Sequence, residues 1–302
     1  MIIKKLLLAV IAAGAFLTTS VTAQTWGSAT VRTEKVAGGV YVLFGEGGNV
    51  GVLVGADGVL IVDDLFAPLA GKIKTAIEAL SDKPIRFAIN THFHDHSTGG
   101  NESLGKTGTV IIAHENVRIR MAAGTLISEA KFRTDPQAGP ALPVIAYKNQ
   151  TVLHMNGEKV RIHYVHNAHT DGDSIVHFEG SNVIHMGGTF YVGTFPFIDL
   201  DNGGSLDGLI AAANKVLSMA DADTRIIPSH GSVTDKEGLK LYRDMLVDVR
   251  EKVSVLKSLG WGLEDVQGSF VLDDHLPYFG QSSESGANWA RSFIGTVFNS
   301  IW

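Results

Sequence analysis

The sequence predicts an α/β fold made of two similar halves. Three observations carry this reading. Short apolar runs of strand length are interleaved with longer segments of helical periodicity. The order, strands and then a helix, occurs twice along the chain. No Pro- or Ser-rich linker divides the two halves, so residues 24–302 read as one domain.

The first 23 residues stand apart from this pattern. Lys4 and Lys5 give a positive start, Leu6 to Phe16 is apolar, and Val21-Thr22-Ala23 places small residues before Gln24. That is the build of a secretory signal peptide, and the apolar run is short for a bilayer span. A periplasmic or secreted location is therefore expected. No later segment is long and apolar enough to span. Loss of residues 1–23 removes two lysines and no acid, which takes the formal net charge from −6 to −8. A mildly acidic chain without basic clusters is a poor partner for nucleic acid or anionic lipid. There is no cysteine among the 302 residues, which excludes disulfides, a thiol nucleophile and thiolate metal ligands.

Past residue 23, Val36–Phe44, Asn49–Val54 and Val59–Val62 read as strands, with Gly47-Gly48 and Asp57-Gly58 as the turns between them. Leu69, Ile73, Ile77 and Leu80 recur at helical spacing and predict a helix over Pro68–Leu80. Pro84 follows it, and Ile85–Ile89 is a strand apolar on both faces. Val110–Ala113 reads as a strand and Glu115–Ala123 as a helix. Residues 124–143 are rich in Gly, Pro and charge and read as a long surface loop or lid. In the second half Val144–Tyr147, Thr151–Leu153, Lys159–Val165, Ser174–Phe178 and Val183–Met186 are expected strands. Ser205–Ala220 is an expected helix, Arg225–Ile227 a strand, Asp235–Leu259 a long helix, and residues 286–302 a closing helix.

The chemistry concentrates in His92-Phe93-His94-Asp95-His96, which follows the apolar strand directly. Imidazole and carboxylate are the ligands that borderline divalent metals such as zinc prefer. Three further loops stand at predicted strand ends: Asn167–Ser174 with His169, Gly187-Gly188-Thr189-Phe190, and Pro228-Ser229-His230-Gly231. Loops at strand ends are held by a rigid sheet, and their side chains can converge.

These motifs, in this order along nearly the whole chain past residue 23, resemble the metallo-β-lactamase superfamily. The resemblance implies a four-layer αββα sandwich with its site at one edge of the sheets. It implies His92, His94 and His169 as ligands of a first zinc and His230 as a ligand of a second. It also implies hydrolysis of an amide or ester carbonyl by metal-activated water, in the leading form a β-lactam or a lactone. Two positions depart from the family pattern His-x-His-x-Asp-His. Asp95 follows His94 without a spacer. Counting back from Thr98-Gly99-Gly100-Asn101 puts His96 in the Asp slot and Ser97 in the last His slot; with a one-residue gap, Asp95 and His96 keep the family roles instead. In both registers Asp95 and His96 are the candidate catalytic residues and candidate ligands of the second metal. The second departure is Gly188, where the family has a carboxylate bridging two metals.

One firm zinc and one weak or absent one are therefore expected, and Gly188→Asp is expected to raise occupancy of the second. Asp171 and Asp173 offer compensating carboxylates or, alternatively, ordinary turn bonding. The resemblance makes Asp63 a candidate for holding the metal loop from behind; alternatively it is an acid that simply ends its strand. His114 reads as a helix cap or as a donor behind the metal ligands rather than as a ligand. Phe190, Tyr191, Phe195 and Phe197 either wall a pocket or pack between helix and sheet. Two alternative functions stay open: hydrolysis of a thioester, phosphodiester or sulfate ester, and a non-enzymatic periplasmic protein with a degenerate metal site. The partner is in the first case a small-molecule substrate.

Overall fold

The computed structural model describes residues 26–127, 132–280 and 284–301; the expected signal peptide lies outside them. The first sheet begins with β1 (Arg32–Ala37), β2 (Val40–Gly45), β3 (Gly48–Gly55) and β4 (Gly58–Val62), joined as antiparallel neighbours. The expected single strand Val36–Phe44 is thus two strands. Gly38, at φ +53°, turns the chain between them, and left-handed backbone is where glycine is favoured. Helix α1 (Ala70–Glu78) follows a 3-10 turn and carries the chain to β5 (Ile85–Ile89), which lies parallel to β4.

The histidine-bearing stretch Thr91–Gly100, expected as a loop, contains a short helix, α2 (Asp95–Thr98), and a second, α3 (Asn101–Lys106), follows it. Then come β6 (Val110–His114) and α4 (Glu115–Ala123). His114 caps α4, its Nδ1 accepting from Asn116 N at 3.3 Å. The expected loop of residues 124–143 holds a small antiparallel pair, β7 (Leu126–Ile127) and β8 (Phe132–Arg133), flanking residues outside the description. A second correction concerns β9 (Ile145–Tyr147). It does not open the second half but closes the first sheet, parallel to β6.

The second sheet runs β10 (Gln150–Met155), β11 (Glu158–Tyr164), β12 (Ser174–Phe178), β13 (Val183–His185) and β14 (Arg225–Ile227). Its pairs are antiparallel except the last. Helix α5 (Leu206–Met219) connects β13 to β14. Ser205 Oγ caps it by accepting from Gly208 N. Helix α6 (Lys236–Ser258) is capped by Asp235, and α7 (Leu263–Gln267), α8 (Leu276–Phe279) and α9 (Glu284–Ser300) complete the chain.

Strand alternation sorts the core into layers. Leu60, Val62, Ile89 and Ile112 of the first sheet meet Val160, Ile162, Val176 and Ile227 of the second. The opposite face of the first sheet, Val59, Ile61, Ala88 and Ile111, packs on Leu69, Ile73 and Ile77. The opposite face of the second, with Ile175, Ile184 and Ile226, is covered by α5, α6 and α9. The result is the expected αββα sandwich, with, among the described residues, seven strands in one sheet and five in the other. The carboxyl ends of β5, β11 and β13 and the loop after β14 open on one edge. Among the described residues, no helix is long and apolar enough to cross a membrane.

Candidate metal centre

Three histidines converge at that edge. One ring nitrogen each from His92, His94 and His169 lies within 4.8 Å of the others, and all three residues are buried. The second nitrogen of each ring is tied to the protein. His169 Nδ1 donates to Phe197 O at 2.8 Å. His94 Nε2 donates to Asp199 Oδ2 at 2.9 Å. His92 Nδ1 donates to Thr91 Oγ1 at 3.0 Å, and Thr91 Oγ1 in turn donates to Asp63 Oδ2 at 2.8 Å. These bonds fix the tautomers and leave His92 Nε2, His94 Nδ1 and His169 Nε2 as lone pairs facing inward.

The inward nitrogens are close. His94 Nδ1 is 2.9 Å from His169 Nε2, and His92 Nε2 is 3.1 Å from His96 Nε2. Imidazole nitrogens bound at about 2.0–2.1 Å to one tetrahedral zinc stand roughly 3.3 Å apart. His94 Nδ1 and His169 Nε2, whose outer nitrogens carry the protons, face each other as lone pairs and repel; a shared cation removes the repulsion, so these residues fit a divalent metal of zinc type. Burial, reinforced by the neighbouring imidazoles, holds His92 and His96 well below the usual histidine range. Burial does the same for His169 and brings His230 down to about 4. Neutral imidazole is the metal-binding form.

Asp63, a candidate from sequence, is buried behind this loop. Its Oδ1 accepts Thr91 N at 2.7 Å, and burial raises its pKa to about 7 against the pull of the Thr91 bonds. Asp173 Oδ2 accepts the backbone N–H of His169 at 2.6 Å and of Thr170 at 2.8 Å, fixing the His169 turn. Asp171 makes a two-pronged ion pair with Arg120, at 2.7 and 2.6 Å. Neither acid is part of the histidine cluster; both do turn and pairing work.

The second-metal candidates are placed unequally. His96 faces the cluster through His92, and its ring centroid is 5.7 Å from that of His230. His230 stacks on Tyr191 at 5.0 Å, and its loop is held by Asn49 Nδ2, which donates to Pro228 O and Gly231 O. Asp95, the first residue of α2, is half-buried on the wall of the adjoining cavity and does not belong to the three-ligand cluster. Burial raises its pKa, with His94 opposing and Asp135 adding to the rise.

Gly188 sits in a tight setting. A Cβ built on it would fall 2.3 Å from His169 Cδ2. A carboxylate there requires His169 to move, a constraint the expectation for Gly188→Asp did not include.

One residue of the centre, Asp199, is not among those singled out from the sequence. Asp199 is buried and accepts from both His94 Nε2 and Asn202 Nδ2. The available signal was its setting: an acid between Ile198 and Leu200, in an apolar run, needs a buried donor. The aromatic run divides between both expected roles. Phe190 and Phe195 are core, Phe197 lines the cavity beside the histidines, and Tyr191 does both.

The sequence matches the metallo-beta-lactamase superfamily over residues 43–231. Similar solved structures include a metallo-beta-lactamase from Pontibacter korlensis, 18% identical with a TM-score of 0.56 over 72% of this chain and 100% of that one. DIM-1 metallo-beta-lactamase is 19% identical, with a TM-score of 0.56 over 72% of this chain and 97% of its own. TMB-1 is 18% identical, with a TM-score of 0.55 over 74% and 99%. At these identities the likeness to the solved structures is one of fold. The superfamily match, by contrast, runs through more than half the sequence and contains His92, His94, His169 and His230, and on that ground the chain belongs to the metallo-beta-lactamase superfamily.

Proposed function

We propose that this chain is an exported zinc-dependent hydrolase of a carbonyl substrate, an amide or ester of the lactam or lactone kind. The observation that carries the reading is the convergence of three buried imidazoles, each with its outer nitrogen tied and its inner nitrogen free, beside an open cavity of about 820 Å³. When bound, a zinc ion polarises a carbonyl oxygen and brings the pKa of water towards neutrality. His92, His94 and His169 would hold it, and Asp199, Phe197 O and the Thr91–Asp63 pair keep those rings in register. Asp95, on the cavity wall next to His94, is the group assigned to carry a proton to the leaving atom. His96 and His230 supply imidazoles but no anion for a second cation, so a second zinc is held weakly in this reading.

Export rests on residues 1–23. Amino-terminal sequencing of the protein recovered from a periplasmic fraction tests it; a chain that still begins at Met1 removes that part. The activity is tested with a panel of nitrocefin, a neutral lactone, a thioester, a phosphodiester and a sulfate ester, with added zinc and with a chelator. Hydrolysis of the lactone or lactam that disappears in His92→Ala is the expected result. Metal-bound, folded protein that cleaves nothing in the panel refutes the enzymatic reading in favour of a non-enzymatic metal protein.

A further inference from the structure

The superfamily match ends at residue 231, yet the cavity beside the histidines is walled partly by a helix far beyond it. Ser285, Asn288, Trp289 and Ser292 of α9 line this cavity. Their spacing puts them on one face of the helix. A second face, Ala290, Phe293, Ile294 and Val297, is buried against the helices over the second sheet. Phe293 stacks on Phe195 at 5.1 Å, Trp289 Nε1 donates to Phe195 O at 2.8 Å, and Gln267 Nε2 donates to Arg291 O at 2.9 Å. Helix α9 is therefore fixed in place with an indole presented to the cavity.

Beside the histidines the lining is largely apolar. Trp289 lies 6.3 Å from Phe197, centroid to centroid, Phe197 lies 6.0 Å from His94, and Phe66 and Ile127 also line the cavity. Asp95 is the only acidic side chain among the described lining residues, and none of these is lysine or arginine. Away from the metal ligands, a carboxylated substrate would thus find no lysine or arginine partner among these residues. A neutral one meets aromatic faces, hydroxyls and an amide. The volume suits a ligand of drug-like size.

We infer that α9 makes this cavity a specificity pocket for a neutral ester or lactone bearing an aryl or similarly flat apolar arm, with the arm seated on Trp289 and Phe197 and the carbonyl towards the histidines. This deepens the hydrolase reading and rests on it for the reacting bond, but not for the arm.

The test uses zinc-loaded full-length protein and two neutral lactones, butyrolactone and its phenyl-substituted derivative, with nitrocefin as a carboxylated lactam. The phenyl-substituted lactone should be preferred by about tenfold or more in kcat/KM, mainly through KM. Trp289→Ala should cut that preference by about tenfold, and Trp289→Phe should restore most of it. Naphthylethanol, which has no bond to cleave, should bind the wild type and bind Trp289→Ala about tenfold more weakly. A preference untouched by Trp289→Ala, equal naphthylethanol binding by both proteins, or nitrocefin turned over as well as the phenyl lactone would each overturn the inference. If no lactone is cleaved while naphthylethanol binding still depends on Trp289, the pocket assignment stands and the hydrolase reading falls.

Discussion

Gly188 and His169 are in direct contact: a side chain on the glycine would start 2.3 Å from His169 Cδ2 and 3.0 Å from its Nε2. The missing carboxylate is therefore a packing requirement of the first metal site as much as a loss to the second. Real Cβ atoms do not approach ring carbons so closely, and His169 is tethered on the other side by Phe197 O. Gly188→Ala and Gly188→Asp should both push His169 off its position and weaken zinc binding by about 10- to 100-fold, the range for disturbing a ligand's support. The check is zinc per chain after dialysis against a weak chelator. A Gly188→Asp protein that retains more zinc than wild type contradicts the steric argument.

Asp199 gives the second prediction. Its carboxylate accepts the Nε2 proton of His94 in a buried setting, which holds the ring with Nδ1 inward and makes that nitrogen a better donor to a metal. Asp199→Ala removes this acceptor and leaves Asn202 Nδ2 short of a partner as well. Zinc affinity should drop by about 10- to 100-fold, with far-ultraviolet circular dichroism unchanged. Competition titration with a chromophoric chelator measures it. Affinity equal to wild type would mean that His94 is oriented by its packing alone.

A third prediction concerns acid. His185 is buried between the sheets, its Nδ1 accepting from Gly187 N at 3.1 Å, and burial takes its pKa from the usual 6.5 down to about 4. The folded state thus binds this proton less readily than the unfolded chain. The associated stability is fully present above about pH 6.5 and is lost as pH falls towards 4. The total is roughly 3 kcal/mol, with a slope of about 1.4 kcal/mol per pH unit inside that window. Urea unfolding of zinc-free His185→Gln and wild-type protein through that range isolates the contribution, since other histidines titrate in both. Parallel stability curves for the two proteins would show that His185 is not the proton-linked group.

Elements whose cause is local were legible in the sequence. Ile85–Ile89 is an apolar run after a proline, and its strand bounds are those expected. Leu69, Ile73 and Ile77 are the buried stripe of the first helical segment. His92, His94 and His169 were legible because residue type and motif order both point to a metal. What escaped depends on partners distant in the chain. A three-residue strand such as Ile145–Tyr147 has no pairing preference of its own, and β6 captures it. Asp199 takes its role from a histidine 105 residues earlier. A glycine in sequence is silent about what occupies the space of its absent side chain, so Gly188 could be read as a vacancy when it is a contact.

The last prediction addresses the register of Asp95 and His96. Both residues line the cavity, but the structure brings His96 Nε2 to 3.1 Å from His92 Nε2, whereas Asp95 is outside the three-histidine cluster. The space between His92, His96 and His230 is where a second cation would sit, and it contains imidazoles without a counter-charge. Two dications held close together need anionic ligands, because neutral imidazoles do nothing to offset their mutual repulsion. His96→Asp supplies one carboxylate there without crowding, since aspartate is the smaller side chain. Metal content measured by mass spectrometry should rise from near one zinc per chain towards two. Asp95→Asn should leave wild-type content as it is, because that carboxyl lies outside the cluster. If Asp95→Asn instead lowers the metal content and His96→Asp does not raise it, Asp95 is the ligand and the gapped register is the correct one.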